Sequence, residues 1–147
     1  MVIQQIVQRC RKSGAVLLGA ALLLTPATAG AESLTAWCGG GFTGGGSGMR
    51  IAGDGAVTRL ARTTAAAPLA LSPLGQDQAA FRRWSAALEA AGFAALRLNQ
   101  PGNMTCSLVL ETGAARHAVA WPGITAPAGL PAPVVTVFEE LRRWAPD

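Results

Sequence analysis

Tyrosine is absent from the 147 residues, and the chain holds one lysine, Lys12, and one histidine, His117. Only 8 residues are acidic, and 14% of the chain is charged. These shortages exclude several chemistries. A phosphate-binding P-loop needs a lysine beside its glycines, and none is there. A structural zinc site takes four ligands at short spacings, and one histidine with scattered cysteines does not supply them. No Ser-His-Asp set or paired-carboxylate cleft can be assembled from so few groups. A calcium loop needs several oxygen ligands at fixed intervals, which Asp54 between two glycines lacks. No apolar run approaches the roughly 20 residues of a spanning helix.

The apolar run that does exist is short and placed at the start. Arg9, Arg11 and Lys12 precede Ala15–Leu24, ten apolar or small residues. Thr25-Pro26 ends the run, and Ala29-Gly30-Ala31 follows at the A-x-A spacing. This order is that of a secretory signal peptide cut after Ala31, with a retained membrane anchor as the alternative. Cys10 precedes the apolar run, so it is not a lipid-attachment site. The expected product is a single domain, residues 32–147, periplasmic or secreted, with no membrane anchor after cleavage.

Cutting there changes the charge. The chain has 12 basic residues; three lie in the leader with no acid, leaving nine arginines against eight acids. A nucleic-acid-binding domain is expected to be strongly basic in itself, so nucleic acid is not an expected partner. Cys38 and Cys106 remain. An even pair in an exported domain reads as one disulfide; two free thiols, or a metal or catalytic role, are the alternatives.

The pattern along the chain predicts a strand at Leu34–Cys38 and a hairpin of Met49–Ala52 with Ala56–Arg62 around Gly53-Asp54-Gly55, a strong turn signal. Thr63–Gln76, rich in alanine and proline, reads as a loop. Gln78–Ala91 reads as a helix because Phe81, Trp84, Leu88 and Ala91 form one apolar stripe. Asp77 is placed to cap it, and Gly92 to end it with Phe93 folded back on Leu88. Thr105–Glu111 and Arg116–Trp121 read as a second hairpin, with Glu111 and Arg116 able to pair across it. Val134–Trp144 reads as the last helix, its apolar face formed by Val134, Val137, Phe138, Leu141 and Trp144. The expected fold is α+β: a small antiparallel sheet, one strand plus two hairpins, with two helices on one face.

Seven glycines fall in Gly39–Gly48. The stretch fits G-x-G-x-x-G, but a dinucleotide site needs that motif to open a helix, and a strand follows here. The run reads as a surface loop of low complexity, or as a loop whose missing side chains let it approach a partner's backbone. His117 reads as a structural strand histidine facing either core or solvent. The four tryptophans read mainly as core, with Trp37 and Trp121 as the two candidates for a contact surface. No cofactor, metal or catalytic residue is expected, and the chain does not read as an enzyme.

Gly40-Gly41-Phe42-Thr43-Gly44 is similar to the Gly-Gly-Phe-Ala-Gly run near the first strand of the emfourin family, small protein inhibitors of thermolysin-type metallopeptidases. Ala87–Phe93 at the end of the first helix, the strand Thr105–Leu110 and a final helix rich in leucine and arginine follow in the same order. The chain departs from that pattern in a second glycine cluster at Gly44–Gly48, in Cys38 and Cys106, and in its leader. The resemblance implies a small inhibitor-like binding domain. Gly40, Gly41, Phe42, Thr43 and Gly44 would be its partner-binding residues, and an exported protease or other envelope protein its partner. The alternative expectation is an envelope structural or accessory protein without enzymatic activity.

Overall fold

The computed structural model describes residues 31–113 and 115–146; the expected leader lies outside them, save Ala31. Six strands form one antiparallel sheet: β1 Ser33–Gly40, β2 Gly45–Ala52, β3 Ala56–Arg62, β4 Ala70–Gln76, β5 Met104–Thr112 and β6 Ala115–Pro122. Their order across the sheet is β4-β3-β2-β1-β5-β6. Two helices, α1 Gln78–Ala90 and α2 Ala132–Arg143, complete an α+β fold.

The sheet is larger than the sequence pattern predicts, for two physical reasons. Glycine is depleted from strands because it has no side chain to pack, so Gly39–Gly48 reads as loop. In fact β1 and β2 run through it, with Gly39 opposite Gly46 and Gly40 opposite Gly45. The stretch Thr63–Gln76 has no period-2 pattern because nearly all of β4 is solvent-exposed. It is an edge strand, and it accommodates Pro73 there, where a missing N–H leaves no ladder bond unmade.

The register divides the sheet into two faces. Leu34, Ala36 and Cys38 of β1 stand level with Ile51, Met49 and Ser47 of β2 and with Leu110, Leu108 and Cys106 of β5. Beyond β5, Trp121 stands opposite Cys106 and Val119 opposite Leu108. The buried members of this face join Phe81, Trp84 and Leu88 of α1 and Val134, Val137, Phe138 and Leu141 of α2 in one apolar cluster. Phe138 meets Trp121 edge-on at 4.8 Å between ring centroids, the favoured geometry for an aromatic pair.

Local chemistry at the turns follows the sequence closely. Gly55 adopts φ 95° between β2 and β3, and Asp54 Oδ1 accepts from the Ala56 N–H at 3.0 Å. Gly92 is left-handed, φ 67°, just after α1, and its N–H donates to the Glu89 carbonyl. Phe93 then opens a short 3-10 turn, Phe93–Ala95. Glu111 lies 3.7 Å from Arg116 across the second hairpin.

Asp77 does more than end a loop. One carboxylate oxygen accepts from the Ala80 N–H at 2.8 Å, the other from the Trp144 indole at 3.1 Å, joining the start of α1 to the chain's last turn. The Ala80 N–H, then the Trp144 N–H, hold the Asp77 carboxyl below its ordinary pKa of 3.8. A depressed carboxyl stabilises the fold above its unfolded pKa and ceases to do so as pH falls through the folded one. Asp77→Ala is therefore expected to cost about 1 kcal/mol at neutral pH. In paired denaturant titrations the gap from the native protein should close as pH drops below 3.8; a gap unchanged at pH 2 would argue against the cap.

Candidate functional site

The segment between β1 and β2 is a four-residue turn, Gly41-Phe42-Thr43-Gly44, entered from Gly40. Both of its glycines and the one before it hold positive φ: Gly40 at 119°, Gly41 at 71° and Gly44 at 65°. Only glycine adopts such backbone readily, so the turn depends on this composition. It places Phe42 wholly in solvent, at 107% relative exposure, although phenylalanine ranks among the most buried residue types.

Hydrogen bonds brace this turn on both sides. The Gly41 N–H donates to the Asn103 carbonyl, just before β5, and the Ala65 N–H donates to the Thr43 carbonyl from the loop after β3. Within the turn, Gly44 N–H reaches the Gly41 carbonyl, and Gly45 N–H reaches Thr43 Oγ1 at 3.3 Å. Arg62 donates through Nη2 to the Gly44 carbonyl at 3.3 Å. The Cys38–Cys106 disulfide links β1 to β5 two residues below the turn. The run is thus two strands and a braced tip rather than a low-complexity loop.

The remaining glycines have a packing role. Trp37 lies on the sheet face opposite the core cluster, level with Gly48 on β2 and Ser107 on β5. Its indole folds down along β1 over Gly39 and Gly46. A Cβ on Gly39 would stand 2.6 Å from Trp37 Nε1, and one on Gly46 would collide with Trp37 Cζ2 and with backbone of Cys38 and Gly39. Half-buried Trp37 is therefore not in the apolar core. Gly46→Ala should destabilise the protein by about 1–3 kcal/mol, as other overpacked sites do, and move the Trp37 emission. Gly129→Ala, where the added carbon meets nothing within 4 Å beyond its own chain neighbours, serves as the control and should leave both unchanged.

His117 is half-buried on β6, level with Leu110, its ring 5.0 Å edge-on from Phe93. Among the described residues its Nε2 has no hydrogen-bond partner, and it shares a shallow surface hollow with Arg97 and Asn99. Among the described residues no group of three or more His, Cys, Asp or Glu could hold a metal ion, and no helix is long and apolar enough to cross a membrane. The structure brings together Gly40–Gly44 as one tip and joins Cys38 to Cys106. Asn103, Ala65 and Arg62, which hold that tip, carry no sequence signal, because each acts through strand pairing set by the fold.

No protein family profile matches the chain, and no curated protein matches it.

Proposed function

We propose that the chain is an exported α+β binding domain that presents Phe42 to a partner protein, in the manner of a small protease inhibitor. The carrying observation is a fully exposed aromatic ring on a turn already held from two sides. Exposed aromatic anchors concentrate binding energy. A pre-ordered loop avoids part of the entropy cost of binding. Positive-φ glycines beside Phe42 leave the backbone bare enough for close approach. The similarity of Gly40–Gly44 to the emfourin run makes an exported metallopeptidase the partner of choice. The same reading makes the chain a binder, not an enzyme.

Export is supported by the leader-like pattern of residues 1–31 and by the disulfide, since such bonds persist in oxidising compartments. In this reading both helices lie on the sheet face opposite Trp37, which leaves the tip unobstructed. The Phe138–Trp121 contact and the shared apolar cluster support that placement.

The test is Phe42→Ala. Because the ring touches solvent only, the thermal midpoint should stay within a degree or two. Capture of partners from the native envelope, and inhibition of a thermolysin-type peptidase, should fall by about 30-fold or more, the loss of a binding hot spot. Unaltered capture by a folded Phe42→Ala protein would refute the assignment. A protein that binds envelope components but inhibits no peptidase would be an accessory factor instead.

A further inference from the structure

We propose that the tip has a second occupant: an apolar pocket at the far end of another copy of this chain, so that the protein associates head to tail. This rests on the reading of Phe42 as an anchor but not on any protease. The pocket has a volume of about 540 Å3. Leu88, Phe93, Ala95 and Leu110 line it, between the end of α1, the 3-10 turn and β5, with the exposed Glu32 and Glu89 also lining it.

Three observations select a second copy. The pocket wall is mainly hydrocarbon, which suits a phenyl ring. Charge is complementary: half-buried Arg62, at the end of β3, sits against the base of the tip through the Gly44 carbonyl, and the pocket carries two carboxylates. Finally, the two features lie at opposite ends of β1. Glu32 precedes its first residue, Ser33, which stands opposite Glu111; the tip follows its last, Gly40. Eight residues of strand at about 3.3 Å each separate them, so a molecule cannot fill its own pocket. A tip in a pocket elsewhere on the next copy is a heterologous contact, which propagates in a chain unless the rotation closes a ring.

The contact is small. A phenyl ring buries about 150–250 Å2, well short of the roughly 1,200 Å2 at the low end of stable interfaces. Association is therefore weak and appears only at high protein concentration, where it withdraws Phe42 from other partners.

Sedimentation velocity over a concentration series tests this with the purified protein alone. The native chain should show a weight-average mass that rises continuously past that of a dimer. Phe42→Ala, which lacks the tip, and Ala95→Arg, which obstructs the pocket with a bulky cation, should each remain monomeric. Ala95 is exposed, so the larger side chain need not disturb the core. Mixed in equal amounts, the two variants should form dimers and nothing larger, since only one intact tip and one intact pocket can meet. That mixture also shows that both variants are folded. Native protein that stays monomeric at millimolar concentration, association that stops at dimer or survives Phe42→Ala, or a mixture without dimers would each overturn the proposal. Because no peptidase is present, a failure here is separate from a failure to inhibit one.

Discussion

Replacing Cys38 and Cys106 together by alanine is expected to lower the unfolding free energy by roughly 4 kcal/mol, as the chain-entropy model gives for a loop of this length. The two cysteines are 68 positions apart in sequence. The bridge restrains the unfolded chain across everything from β1 to β5, including all of β2, β3, β4 and α1. Cys38 and Cys106 stand directly opposite each other in the β1–β5 ladder, their Cα atoms 4.0 Å apart, and both are buried. Small domains have total stabilities of about 5–15 kcal/mol, so the variant should be close to unfolding. Urea titration should show a lower midpoint and a steeper slope, because the unlinked denatured chain is more expanded and exposes more surface. Native protein in reductant should approach the variant. A loss below 1 kcal/mol would mean that the unfolded chain is already compact without the bridge.

The second large effect lies beside the first. Trp121 is opposite Cys106, is 0% exposed, and is the largest fully buried side chain. Trp121→Ala removes the ring and its contact with Phe138, and should cost about 3–5 kcal/mol. Trp121→Phe is predicted to be much milder. Among the described residues the indole N–H has no partner, and a buried donor left unmade costs about 1–3 kcal/mol, so deleting it offsets part of the lost volume. Differential scanning calorimetry of both variants distinguishes the effects. Equal losses would mean that a phenyl ring does not fill the site and that removing the orphan donor gives no relief. Because Trp121 and the cystine touch the same part of the core, their effects should not add when combined, as neighbouring sites rarely do.

The elements written into local pattern were legible beforehand. The α1 stripe Phe81, Trp84, Leu88 is periodic and all three residues are buried; Asp77 caps; Gly55 and Gly92 take positive φ where turns need it. Cys106, Leu108 and Leu110 alternate in sequence and share one face, where Cys106 and Leu108 are buried and Leu110 is half-buried. Even the cysteine pairing followed from number and expected compartment. What failed locally failed for a physical cause. β4 has little buried face and so no alternation to display, and the glycine strands lack side chains to alternate.

Residues of one helix turn or one hairpin meet because covalent spacing brings them together, so the sequence alone determined the two helices, the two hairpins it marks (β2–β3 and β5–β6) and the α+β class; the cystine partners followed instead from residues 32–147 holding just two cysteines. The strand order, the braced tip with Phe42 in solvent, the indole of Trp37 laid on Gly39 and Gly46, and the separation of tip from pocket were decided only in the tertiary structure. Each depends on contacts between strands distant in sequence, where the choice among registers is made by burying one face of the whole sheet at once.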